Sequence, residues 1–167
     1  TDNAYDYKLN NSAAHIALHE STVDSQNGVI SGLWYSCYQI INRCCLVLES
    51  IERINTTPEV YNQIVGEAKF LRAYAYYVMV RVWGDVPLVL EDIKDYMKVF
   101  EYGRTPVNVV YDQIIDDLED AEAKLPDFYT RDADKGKATA TAAQAILGDV
   151  YLTRGEHATA KTYFEKI

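Results

Sequence analysis

A chain of 167 residues is sized for one domain, and 49% hydrophobic content supplies ample core, which excludes a disordered polymer. Its 25 acidic against 16 basic residues leave a formal charge of -9, which repels phosphate backbones and anionic membrane surfaces. No nucleic-acid partner is therefore expected. No stretch approaches the roughly 18 apolar residues that a membrane-spanning helix needs. The opening Thr1-Asp2-Asn3 has no initiator Met and no signal-like apolar run, so a trimmed fragment with any export signal upstream is expected, and the end at Ile167, inside a helical repeat, points to truncation there too.

In chain order, residues 1 to 30 carry little periodicity. Asn10-Asn11-Ser12 signals a loop, a short helix is possible over Ser12 to Glu20, and Gly28 ends a polar run. His15 and His19 share a helix face but lack the third ligand a catalytic zinc requires, and a solvated face accounts for them. From Ser31 a helix is predicted to about Ile54, with the stripe Ile30, Leu33, Tyr38, Ile41, Cys45, Leu48 and Ile51. Cys37, Cys44 and Cys45 lie near one face of it and read as small buried hydrophobes. Their number is odd and their spacing suits neither a bridge nor a zinc site, so no metal or cofactor is expected.

The second helix organises the chain. Thr57 is its expected N-cap with Pro58 in the first turn, and Gly84 followed by Pro87 stops it at Trp83 or Gly84. Its core face is expected to be Ile64, Ala68, Leu71, Ala75, Val78 and Val82. Between Ala73 and Val80 the remaining faces also turn apolar, which demands cover on several sides. Glu67 and Arg72 stand about 140° apart around the axis, too far to pair. Each needs a partner on a different neighbour, as a clamp of a helix stack or, alternatively, as a direct ligand group.

Residues 85 to 104 form a long insertion, extended at first over Val86 to Leu90 and carrying Tyr96, Phe100 and Tyr102 among charges. Thr105 as N-cap and Pro106 at the first position open a third helix with the stripe Val107, Val110, Ile114, Leu118, Ala121 and Leu125. Asp112, Asp116, Asp117, Glu119, Asp120 and Glu122 are placed on its solvated side rather than in a metal cluster. Thr139, or Thr141 with Gln144, caps a fourth helix whose Ala143, Leu147, Val150 and Tyr151 face inward. A fifth begins near Glu156, with Ala160 and Phe164 on its apolar side. Leu147-Gly148, Tyr151, Gly155, Ala160 and Phe164 match the small and large alternation of a tetratricopeptide helix pair.

Several of these runs together resemble the SusD/RagB family. Trp34, Tyr38 and Ile41 are similar to its opening motif, and Glu67-Ala68-x-Phe70-Leu71-Arg72-Ala73 followed by Gly84-Asp85-Val86-Pro87-Leu88 to its signature. Ile114, Asp117, Leu118, Ala121, Leu125 and Pro126 follow in order, and the helix from Ala142 to Leu152 closes the series. Cys44-Cys45 stands where the family usually has Ala-Asn. The resemblance implies an all-α fold of tetratricopeptide-like helix pairs with a long inserted loop, the N-terminal part of a larger protein. It makes Glu67, Arg72, Gly84, Asp85 and Pro87 a structural signature.

It also implies a function: a non-catalytic surface lipoprotein of the outer membrane that binds an oligo- or polysaccharide. Such proteins work with a SusC-type TonB-dependent transporter in nutrient uptake. Composition agrees to the extent that 14 tyrosines offer flat faces with hydroxyl handles. No nucleophile beside a histidine, phosphate loop or placed carboxylate pair is legible, so no enzyme is expected. The alternative is a generic tetratricopeptide scaffold that binds a protein. For a sugar, the segment before the first helix is the expected site, with Asp24 and Asn27 as polar groups and Trp34 as platform. The other reading of Trp34 is a packed aromatic at the helix end.

Overall fold

The structure, a computed structural model, describes Ala17, Thr22, Asp24 and residues 26 to 167. Among these residues five α-helices run as α1 Gly28–Ile51, α2 Pro58–Trp83, α3 Val107–Lys124, α4 Ala140–Thr153 and α5 His157–Phe164. Two 3-10 turns lie at Tyr96–Glu101 and Asp132–Asp134. The expected all-α class is observed, and the extended start of the long loop contributes one isolated bridge, Val86 to Thr105. The helix proposed over Ser12 to Glu20, apart from Ala17, and the His15 and His19 pair lie outside the described residues.

Backbone packing divides the chain into two units, residues 1 to 38 and 39 to 167. In the first, α1 begins three residues before the expected Ser31, because Asn27 caps it. In the second, consecutive helices run antiparallel. Tyr61 donates to Glu52 at 2.5 Å across the α1–α2 turn. Lys69 pairs with Asp120 at 2.8 Å between α2 and α3. Gln144 donates to Glu122 at 3.0 Å between α4 and α3.

The limits of α2 follow its sequence. The Thr57 hydroxyl accepts from the Val60 N–H at 3.4 Å, Pro58 takes the first position, and Gly84 at φ 66° and ψ -116° ends the helix in a conformation open to glycine. The core face, however, is rotated from the expected one. Leu71 and Val82 are 47% and 48% exposed, whereas Val65, Ala68, Arg72, Ala75, Tyr76 and Met79 are buried. A helix apolar on most of its circumference does not encode which side is inward, and the neighbouring elements make that choice.

Helix α3 buries the expected Val110, Ile114, Leu118, Ala121 and Leu125. Two expectations about it change. Thr105 does not cap it: its hydroxyl accepts from the Leu88 N–H, and its own N–H donates to Val86. The first amide of α3, Val107 N–H, is taken instead by the Asp85 carboxylate at 2.8 Å, from the far side of the long loop. Asp117, expected among solvated acids, is 1% exposed.

The last two helices meet through a missing side chain. A Cβ at Gly148 would lie 2.5 Å from the Phe164 ring, so glycine is what lets α5 close on α4. Thr139 rather than Thr141 caps α4, its hydroxyl accepting from Ala142 N–H at 3.1 Å, while Thr141 donates to the Asp127 carbonyl.

Candidate functional site

Within the first unit, Asp24 and Asn27 are joined by a tight turn, the Asn27 N–H donating to the Asp24 carbonyl at 3.2 Å. The exposed Asp24 carboxylate accepts from Gln26 N–H at 3.0 Å. Asn27 is buried, and its carboxamide oxygen accepts from Val29 N–H at 3.0 Å and Ile30 N–H at 3.3 Å. That oxygen neutralises the first turn of α1, so Asn27 shapes the turn. Two helical turns on, about 10 Å along the axis, Trp34 is half-buried with its ring 5.0 Å from Tyr38. The more exposed aromatic there is its neighbour Tyr35, at 64%, which periodicity places off the apolar stripe.

In the second unit, Arg72 of the signature centres a buried polar junction. Arg72 donates from Nε to Asp117 Oδ2 and from Nη2 to Oδ1, both at 2.7 Å, with the side chains 8% and 1% exposed. This fork matches two parallel hydrogen bonds to the two carboxylate oxygens, the strongest pairing a guanidinium makes. Burial alone would lower the Arg72 pKa, but the Asp117 carboxylate more than offsets it and holds the guanidinium charged. Gln113 adds a third hydrogen bond to Asp117 at 3.2 Å.

The junction extends to α1 and the long loop. Arg72 Nη1 reaches Cys45 Sγ at 3.7 Å, and that thiol reaches the Val89 carbonyl at 3.8 Å. Tyr76 holds the same loop residue on both sides, donating to the Val89 carbonyl at 2.9 Å and accepting its N–H at 2.7 Å. Extended Val86 to Val89 is thereby pinned as if it had a strand partner, which satisfies backbone groups that burial would otherwise orphan. The partner of Arg72 escaped the sequence reading because Asp117 sits among five other acids. Its position three after Ile114 and next to Leu118, on the edge of the apolar stripe, was the available signal.

Glu67 has a different setting. It accepts from Gln63 Nε2 of its own helix at 2.9 Å, and its charge reaches Tyr129 and Lys137 of the loop before α4. Gly84 and Asp85 serve the helix ends, and half-buried Pro87 follows them.

Nothing in this junction is poised as a nucleophile. Cys37, Cys44 and Cys45 are unbridged and buried, and burial followed by the neighbouring Cys45 pushes the Cys44 thiol up to about 11. Among the described residues no group of His, Cys, Asp and Glu side chains is placed to hold a metal ion. The arrangement locks helices to a loop.

Comparisons with known proteins agree with this architecture. A family model described as SusD-like, "Starch-binding associating with outer membrane", matches residues 1–152. A SusD-like protein of Formosa agariphila is 36% identical over 139 residues, which make up 83% of this chain and 27% of that protein. A laminarin-binding SusD-like protein superposes with a TM-score of 0.72 at 30% identity, covering 78% of this chain and 28% of the other. A crystal structure with xylogluco-oligosaccharide superposes with a TM-score of 0.72 at 28% identity, over 84% and 30% of the two chains. The chain thus spans just over a quarter of the length of the curated relative it matches. Motif order, helix packing and the match over most of its length agree: the chain belongs to the SusD-like family.

Proposed function

We propose that this chain is part of a non-catalytic glycan-binding protein of the outer-membrane surface. It would take up an oligo- or polysaccharide together with a SusC-type TonB-dependent transporter. The observation that carries the reading is the laminarin-binding relative at 30% identity over 78% of the chain, seconded by the xylogluco-oligosaccharide structure. No described helix is long and apolar enough to cross a membrane, so the attachment we propose is a lipid anchor upstream of residue 1. With a charge of -9, neutral glycans suit the chain better than acidic ones.

The sugar-contacting segment we assign is the lead-in to α1. Asp24 has an exposed carboxylate that can accept from sugar hydroxyls, and Trp34, with Tyr38, supplies the apolar face for the ring. Asn27 contributes by holding the turn between them. A second reading, partner binding by the helix pairs of a tetratricopeptide-like scaffold, draws on the exposed line Leu71, Tyr74 and Val82 along α2. The two are compatible if the partner is the transporter.

Affinity electrophoresis of the full-length protein in gels cast with neutral and acidic polysaccharides tests the glycan reading. Retardation by at least one neutral glycan is expected, and none by any glycan defeats the reading. For the assigned segment, Trp34→Ala is expected to abolish retardation with little change in melting temperature. Unchanged retardation with a lowered melting temperature makes Trp34 a core residue only.

A further inference from the structure

A cavity of about 360 Å³ opens in the second unit between α2, the turn at residues 136 to 138 and the first turns of α4. Its volume lies at the lower end of those that hold small ligands. Phe70 and Leu71 of α2 and Ala142 of α4 form an apolar wall, and Glu67 and Lys137 bring one carboxylate and one ammonium to it. Lys137 is paired with Asp134 at 2.8 Å rather than with Glu67, whose charge it nonetheless feels. Behind these two, the Tyr129 hydroxyl is buried beside the Glu67 carboxylate, and the Lys137 ammonium lies 5.7 Å from the Tyr129 ring. Burial first, then the Glu67 charge, raise its pKa, so the phenol stays neutral.

The polar groups select among ligands. A cationic side chain meets Lys137 and an anion meets Glu67, whereas a neutral polyol uses both. Glu67 has a second oxygen beyond the one taken by Gln63, and an ammonium has three donors of which Asp134 uses one. The Phe70 ring supplies the flat apolar face that a sugar's C–H side requires. It lies parallel to the Tyr74 ring, centroids 6.4 Å apart and 1° between planes, so the aromatic surface continues one turn along α2 to a side chain that is 48% exposed.

We propose that this cavity is a subsite for one pyranose unit of a neutral glycan, with Phe70 as stacking wall, Glu67 as acceptor and Lys137 as donor to ring hydroxyls. The proposal rests on the glycan-binding reading and adds a second contact point to it, remote in sequence from Trp34. A saccharide leaving the cavity would run over Tyr74.

The test is saturation-transfer NMR of the intact chain with neutral methyl pyranosides of the gluco, galacto, manno and xylo series. Transfer to the ring C–H protons of at least one is expected. Glu67→Gln and Lys137→Met, each verified as folded by circular dichroism, are each expected to weaken binding roughly tenfold, the scale of a lost hydrogen bond to a charged group. Phe70→Leu, which keeps the wall apolar but removes the ring, should reduce the transfer similarly. Absence of transfer with every pyranoside, or transfer unchanged in all three variants, overturns the proposal. If polysaccharide retardation occurs but is insensitive to these variants, the subsite is wrong and the glycan reading stands. If a pyranoside binds the cavity while no polysaccharide is retarded, the subsite stands and the wider reading falls.

Discussion

The junction around Arg72 and the lead-in to α1 are built from the same kinds of residue, acids, amides and aromatics, yet they spend them differently. Around Arg72 both oxygens of Asp117 and the hydroxyl of Tyr76 are taken by partners from the same chain, in a setting where an unmatched group would be costly. In the lead-in and the first turns of α1, Asp24 is exposed, Trp34 is half-buried, and Tyr35 is 64% exposed. Burial therefore decides what a polar residue is for. At Arg72 it binds the fold to itself, whereas the carboxylate of Asp24 and the ring of Tyr35 stay exposed.

The largest effect should come from breaking the junction. Asp117→Ala leaves a buried guanidinium unmatched and is expected to destabilise the fold by about 3–5 kcal/mol, measured by urea denaturation followed at the helical circular-dichroism band. Replacing both partners, Arg72→Met with Asp117→Leu, should recover most of that loss, since neither charge then needs a partner. A double variant no more stable than Asp117→Ala would mean that Arg72 matters for more than its pairing.

A smaller loss is expected at the remote cap. Asp85→Ala should cost about 1 kcal/mol by freeing the Val107 amide, whereas Asp85→Asn keeps an acceptor there and should cost much less. The corresponding change in the lead-in, Asn27→Ala, should also cost about 1 kcal/mol or less, because fraying at the start of α1 returns those amides to water. If Asn27→Ala abolishes glycan retardation as Trp34→Ala is expected to, the turn matters to the site as much as the ring does.

A further effect is absent at neutral pH, where it is the smallest of all. The raised Cys44 pKa means that the fold favours the neutral thiol, so its contribution is complete below the unfolded value of 9.0 and is lost as pH rises towards about 11. Stability of the native chain should decline across that window in a denaturation series. Cys44→Ala should remove that part of the decline, and an unchanged decline would assign it to other groups.

How much of this was legible differs by element. The ends of α2 were readable because Thr57, Pro58 and Gly84 act on their immediate neighbours. The three cysteines were legible as buried hydrophobes from their shared face. The cap of α3 was not, because Thr105 is the locally plausible residue and Asp85 reaches Val107 only after the long loop folds back. Asp117 was hidden for a related reason, since one acid among several on a helix differs only by a rotation of its position towards α2.

What the sequence determined by itself was therefore whatever depends on neighbours along the chain. Helix periodicity, caps, breakers and the ordered run of motifs established an all-α protein similar to the SusD/RagB family. Tertiary structure decided which side of α2 faces inward, which acid meets Arg72, what Tyr76 holds and where the cavity beside Phe70 opens. The physical reason is that an α-helix apolar on most sides can be rotated about its axis at little local cost. Only the fit of neighbouring side chains, and the cost of leaving a buried charge unmatched, selects one rotation from the others.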